Sequence, residues 1–338
     1  MSDREMLIAA FLAAAGWDNA DRHHLAGDAS DRRYWRLARG SETAVLMDNP
    51  PGGADDPAAF ATMARHLATL GLSPPRLIAT DLTQGLLLLE DLGDGLFARL
   101  VAADPTLEEP LYAAAVDVLV RLQAAPPPIG LPNLSARDWA EAAALALTVY
   151  MPAAIGTAPD TGRFTATLAG MLQTHADGPR VLILRDYHAE NLLWLPDRDG
   201  PARVGLLDFQ LGQLGQPGYD LVSLLQDARR DVSPTIEARL IDRFVTATGI
   251  DAKSFAAHYA ALGAQRALRI LGIFARLGLV AGKPGYLRLI PRVWGQLQRN
   301  LAHPDLAELA RICAETLPEP TPASLASIEA QCPISPSR

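Results

Sequence analysis

Apolar and polar positions follow one rhythm before Asp91 and another after it. Residues 4–17 carry helical spacing, opened by Ser2 and Glu5 as a capping box. "HHLAGDASDRRYWRLARGSETAVLMDNPP" then reads as strand, turn, strand, turn, strand, with turns at Gly27–Asp31 and Gly40–Glu42. Asp56-Pro57 starts a helix that runs to about Leu70, with proline in the first helical position. "PRLIATD" and "GLLLLED" are two further strands around the turn "LTQG". After Asp91, residues 106–124, 135–150, 162–176, 218–230, 234–247 and 252–302 have helical spacing and are rich in Ala and Leu. One hairpin interrupts them: "LLWL" (192–195) and "VGLL" (204–207), joined by "PDRDGPAR". The tail from Pro318, with several Pro and Ser, reads as loosely ordered.

This organisation is α+β. A small antiparallel sheet with a helix occupies residues 1–90, a larger and mostly helical part residues 91–305, and a last helix and tail residues 306–338. At ~150 residues per domain, a chain of 338 residues amounts to about two domains or lobes. The net charge of −8 argues against a nucleic-acid partner, which calls for a basic footprint. No apolar run approaches the ~20 residues of a membrane helix. Asp3 and Glu5 outweigh Arg4, so the first segment reads as a capped helix and not as a secretory leader. Cys313 and Cys332 show no metal-ligand spacing, and a reduced, cytoplasmic compartment is the simplest reading. A monomer is expected.

The hairpin holds the candidate chemistry. Asn191 precedes its first strand and Asp208 follows its second, so both side chains fall at one mouth, and Asp186 sits in the loop feeding that mouth. Carboxylate and amide oxygens suit a hard cation such as Mg²⁺, held together with substrate phosphates. A remaining carboxylate can orient a hydroxyl or accept its proton.

In series, "RDYHAEN", "VGLLDFQ" and "YDLVSLLQD" resemble the protein-kinase-like phosphotransferases, in particular the aminoglycoside phosphotransferase and choline kinase branch. The resemblance implies a two-lobed fold with a small antiparallel-sheet N-lobe and a mostly helical C-lobe. It implies ATP and Mg²⁺ as cofactors, Asp186 as the catalytic carboxylate, Asn191 and Asp208 as metal ligands, and Asp220 as a brace for the catalytic loop. "GDASDRRYWRL" looks like the turn over the phosphates, which makes Ala29, Ser30, Asp31 and Arg33 ATP-binding candidates. "LLLLEDLG" looks like the hinge, where the backbone of Glu90 and Leu92 would meet adenine. Across residues 20–300 the chain looks most like the bacterial anomeric kinases of cell-wall recycling, which phosphorylate the C1 hydroxyl of N-acetylmuramate and N-acetylglucosamine. Other acceptors in the same fold, an aminoglycoside or choline, and a nucleotide-binding pseudokinase are the competing readings.

The departures from the pattern are specific. Met47 stands where the kinase pattern has its phosphate-binding lysine, and the only lysines are Lys253 and Lys283. The helix "FATMARHLATL" has no glutamate to pair with one. Arg32, Arg33 and Arg36 are the candidates to make the phosphate contact instead. Leu184 and Arg185 precede Asp186 in place of the usual His-Gly or His-Arg, and Gln210 replaces the glycine after Asp-Phe. Between Asp251 and Asp305 there is no acidic residue, while Lys253, Arg266, Arg269, Arg276, Lys283, Arg288, Arg292 and Arg299 lie there. Such a stretch suits a neutral or anionic small-molecule sugar better than a polycationic acceptor. His188, Gln210, Gln213 and Arg229 are the candidates to touch it.

Overall fold

The computed structural model describes residues 2–27, 32–53 and 56–333. The chain opens with α1 (Asp3–Ala14), β1 (Asp21–Gly27), β2 (Arg33–Arg39), β3 (Glu42–Asp48), α2 (Pro57–Thr69), β4 (Leu77–Asp81) and β5 (Leu86–Glu90). Then come α3 (Phe97–Ala103), α4 (Glu108–Gln123), α5 (Ala136–Ala143), α6 (Met151–Ile155) and α7 (Gly162–His175). The short strands β6 (Val181–Ile183), β7 (Leu192–Trp194), β8 (Val204–Leu206) and β9 (Gln213–Gly215) follow. The chain closes with α8 (Tyr219–Leu225), α9 (Pro234–Thr248), α10 (Ala252–Leu279), α11 (Ile290–Leu301), α12 (Ala307–Thr316) and α13 (Pro322–Glu329). Packing divides it into two compact units, Met1–Gly130 with Leu184–Gly212, and Leu131–Ile183 with Gln213–Arg338.

In the first unit, five strands form an antiparallel sheet in the order β1-β2-β3-β5-β4. Leu37, Ala44, Leu46, Leu86 and Leu88 bury one face of it against Ile8 and Leu12 of α1. Side chains alternate along a strand. Tyr34, Arg36, Val45 and Met47 therefore lie on the other face, with Tyr34 opposite Met47 and Arg36 opposite Val45. Asp56 caps α2 by accepting from the Ala58 amide at 2.8 Å, as the Asp-Pro signal predicts. β7 and β8 pair as the expected hairpin, Leu192 opposite Leu206.

The second unit is built around α10, a largely buried 28-residue helix. Residues Ala146–Tyr150 form a π turn between α5 and α6, which packs on α10. A Cβ on Gly272 would come within 2.4 Å of the Leu145 backbone, so only glycine permits this approach. The strands β6 and β9 pair Val181 with Gly215; both fall outside the sequence expectation.

The structure corrects several expected spans. The stretch 252–302 is two helices: the first ends at Leu279, where Gly282 takes a φ of +63° and the Lys283 amide closes back on the Leu277 carbonyl at 2.9 Å, just ahead of Pro284. The helix expected over 218–230 stops at Leu225. The tail expected to be loosely ordered contains α13, capped by Thr321. Ser327 Oγ and Gln331 Nε2 fasten this helix to the Ala153 carbonyl at 3.1 and 2.8 Å. No helix among the described residues is long and apolar enough to cross a membrane.

Candidate active site

The loop before β7 is held from several sides. Tyr187 is buried and its hydroxyl donates to the Ala115 carbonyl of α4 at 2.8 Å. The Ala98 amide of α3 donates to the Ala189 carbonyl at 3.0 Å. Within the loop, Asn191 Nδ2 donates to the Asp186 carbonyl at 2.9 Å and lies 3.4 Å from His188 Nε2. The Leu207 amide donates to the Asn191 carbonyl at 2.9 Å, one step beyond the β7–β8 pairing. The hairpin thus brings Asp186, His188, Asn191 and Asp208 to one end of two strands. His188 is buried there.

Asp208 departs from ordinary backbone geometry. Its φ is +55°, and Arg185 at +74° is the other non-glycine residue with positive φ among those described. Such conformations carry strain and persist only where surrounding contacts enforce them. Here the enforcing contacts are visible. The Phe209 ring is fully buried and stacks on Phe60 of α2, with ring centroids 4.8 Å apart. Asp208 Oδ1 accepts from Gln210 Nε2 at 2.7 Å and from Arg32 Nη2 at 3.0 Å. Arg32 is 5% exposed, while the Asp208 side chain keeps 32% of its exposure, so the pair joins a buried guanidinium to a carboxylate that reaches water.

The expected ATP-binding residues divide. Ala29, Ser30 and Asp31 lie outside the described residues. Arg33 begins β2 exposed and opposite Asp48, on the α1 side of the sheet, and it is not brought to Asp208. Arg36 is committed elsewhere, with Nε 2.8 Å from Asp91 and Nη1 2.9 Å from Asp94. This hydrogen bond from Arg36 holds the Asp94 carboxyl below its ordinary range. The Glu90 amide donates to the Arg76 carbonyl at 2.8 Å, and its carboxylate pairs with Arg198 at 2.7 Å. Leu92 packs its side chain toward Gly205 of β8.

In the second unit, Asp220 is fully buried in the first turn of α8. The buried side chain of Gln213 has an Nε2 without a hydrogen-bond partner among the described residues, and Gln216 has such an Oε1. In the first unit Gln210 Oε1 is in the same condition. Buried amides are normally satisfied; Gln216 was not among the sequence candidates. Arg229 lies in a braced loop. Its amide donates to Asp227 Oδ1 at 2.8 Å, and Gln296 Nε2 donates to the Asp227 carbonyl at 2.9 Å. Arg292 grips both oxygens of Asp231 at 2.8 and 3.1 Å, holding that carboxyl below its ordinary range. Arg299 pairs with Glu237 and Arg266 with Ser223, each at 2.8 Å. Three of the cations expected to form a wall for substrate are therefore used to brace the unit itself.

The oxygens present fit a hard divalent cation. With Nδ2 committed as a donor, Asn191 offers Oδ1 as its ligand atom. Among the described residues, Arg32 and Gln210 both donate to Oδ1 of Asp208, which leaves Oδ2 as the oxygen to offer a metal ion. Among the described residues no group of three His, Cys, Asp or Glu side chains converges into a metal cage. A carboxylate and an amide oxygen suit Mg²⁺, which completes its shell with phosphate oxygens and water.

The chain is similar to several kinases. An N-acetylmuramate/N-acetylglucosamine kinase of Caulobacter vibrioides is 42% identical over an alignment covering 91% of this chain and 95% of that protein. A kinase of the same name from Pseudomonas aeruginosa is 32% identical, covering 91% and 93%. A choline/ethanolamine kinase family protein of Mesorhizobium loti, at 16% identity, superposes with a TM-score of 0.62 over 97% of this chain and 99% of its own, which shows the kinase-like fold. The sequence pattern of the phosphotransferase enzyme family matches residues 22–259, spanning the sheet, the hairpin and Asp220, and the chain belongs to that family.

Proposed function

We propose that the enzyme transfers the γ-phosphoryl group of ATP to the anomeric C1 hydroxyl of N-acetylmuramate and N-acetylglucosamine, in the cytoplasmic recycling of peptidoglycan. The observation that carries this reading is the Asp186–Asn191–Asp208 constellation in a chain 42% identical to a kinase named for those two sugars. Residues 1–90 serve as the nucleotide-covering lobe and 91–305 as the lobe with the catalytic loop and acceptor site, followed by the helices of 306–338. The enzyme acts as a monomer.

Asp186 orients the C1 hydroxyl and accepts its proton as the oxygen attacks phosphorus and the bond to the ADP oxygen breaks. An anomeric hydroxyl is more acidic than an ordinary alcohol, so a carboxylate of ordinary basicity suffices. Asn191 and Asp208 hold Mg²⁺, which when bound neutralises charge on the phosphate oxygens. The Glu90 amide is already engaged with Arg76. The hinge donor to adenine is therefore the Leu92 amide, with the Glu90 carbonyl as acceptor. By resemblance to the phosphotransferase enzyme family we assign His188, Gln210 and Gln213 to the sugar hydroxyls, Arg229 to the lactyl carboxylate, and Asp220 to bracing the catalytic loop.

An aminoglycoside acceptor is disfavoured by the pairing of Asp231 with Arg292 and of Glu237 with Arg299, which leaves those acids already neutralised. A panel of N-acetylmuramate, N-acetylglucosamine, kanamycin and choline with Mg-ATP tests the proposal by ADP release. The two acetylated sugars should be turned over and the two cationic acceptors ignored. Preference for kanamycin or choline would overturn the acceptor assignment.

A further inference from the structure

The sequence leaves three arginines to replace the lysine absent at Met47, and the structure separates them. Arg36 is tied to Asp91 and Asp94 beyond β5. Arg33 is exposed and opposite Asp48, whose side chain pairs with Arg4 of α1. Arg32 is buried, with Nη2 3.0 Å from Oδ1 of Asp208. We propose that Arg32 is the phosphate-binding cation of this enzyme and takes over the function of the β3 lysine. This rests on the ATP-dependent reading given above.

The surroundings of Met47 support the exchange. Met47 is 1% exposed and lies opposite Tyr34, on the sheet face that also carries Arg36. An ammonium at that position would need a buried carboxylate beside it. The helix α2 supplies none, and presents Phe60 to Phe209 instead. In this protein the cation stands just before β2 in place of Met47 near the end of β3, and it pairs with Asp208. Strand alternation, extended one residue before β2, puts Arg32 in phase with Tyr34 and Arg36.

A guanidinium buried to this degree needs an anion at all times. Asp208 is one anion that meets it, at 3.0 Å. A metal ion held at Asp208 would bring the nucleotide phosphates to the same place, within the reach of this guanidinium. The planar fork of arginine donates to two phosphate oxygens at once, which an ammonium cannot do in one plane. Asp208 and Arg32 then act as a matched pair, one toward the metal and the other toward the phosphates.

Calorimetry on the full chain tests this with two probes, Mg²⁺ with a non-hydrolysable ATP analogue, and adenosine alone. Arg32→Ala should weaken the analogue by about tenfold or more, the size of a lost charge-assisted contact, and leave adenosine binding unchanged. Arg32→Lys should restore part of the analogue affinity. If Arg32→Ala does not fold, Arg32→Gln keeps a donor for Asp208 without the charge and should show the same selective loss. Unchanged analogue affinity, or an equal loss for both probes, overturns the inference while leaving the ATP reading intact. Failure of the wild-type protein to bind either probe overturns the ATP reading, and this inference with it.

Discussion

Phe209 stacks on Phe60 with the two rings inclined by 27°, joining the residue after Asp208 to α2. The contact buries two large apolar side chains directly after Asp208, whose φ is +55°. Phe60→Ala should cost about 3 kcal/mol of stability, as expected for an aromatic deleted from a core. It should also weaken metal-dependent nucleotide binding. Urea denaturation and calorimetry read the two effects separately, and a loss of stability with full nucleotide affinity would reduce the pair to ordinary core packing.

Arg36 predicts a different signature from Arg32. It ties β2 to Asp91 and Asp94, on the side where adenine is expected. Asp94 is exposed and contributes little, whereas Asp91 is mostly buried. Arg36→Ala should weaken adenosine and the ATP analogue by the same factor, corresponding to about 1–2 kcal/mol for a hydrogen-bonded charge. A loss confined to the triphosphate would contradict the assignment of Arg36 to the hinge.

His258 makes stability depend on pH. Its Nε2 accepts from the Gly218 amide at the start of α8, and its Nδ1 donates to the His175 carbonyl, each at 3.2 Å. Burial pushes its pKa down from 6.5 to about 4. Above pH 6.5 the ring is neutral whether the chain is folded or unfolded, and its contribution is complete. As pH falls from 6.5 toward 4, the unfolded chain takes up a proton that the folded chain refuses, and stability drops. The loss should reach about 3 kcal/mol at most. Thermal melts of wild type and His258→Gln across that window should converge toward acid pH, and parallel curves would rule the histidine out as the cause.

The two aspartates of the hairpin should fail differently. With Asp186 proposed to act on the acceptor, Asp186→Asn should abolish turnover and spare binding of the ATP analogue. Asp208→Asn should weaken binding of the analogue in Mg²⁺ and change adenosine little. Calorimetry beside a turnover assay distinguishes them. Equal loss of nucleotide affinity in both variants would remove the division of labour.

Local signals carried much of the fold. Asp56-Pro57 announced α2, Ser2 with Glu5 announced α1, and turn residues on either side of Leu192 and Val204 announced the hairpin. What escaped were features decided by distant partners. The three-residue strands β6 and β9 are too short to show a period, and exist because Val181 finds Gly215. The helix after Gly218 stops at Leu225 in a segment where Gln226 and Asp227 bond to Asn300 and Gln296 of α11, a competition invisible in the local sequence. The Pro- and Ser-rich tail forms α13 because Ala153 offers it a carbonyl. At the site, the spacing of Asp186, Asn191 and Asp208 was legible. The choice among Arg32, Arg33 and Arg36 was not: strand register turns Arg33 to the other face, and Arg32 and Arg36, in phase with each other, differ in distant partners, Asp208 for the first and Asp91 with Asp94 for the second.

The position of phosphate on the product tests the central claim most directly. Incubation of N-acetylmuramate with Mg-ATP and the enzyme, followed by phosphorus-coupled proton NMR, should show phosphorus coupled to the anomeric proton. The borohydride-reduced sugar, which has no anomeric carbon, should give no product. A 6-phosphate, or phosphorylation of the reduced sugar, would contradict the account.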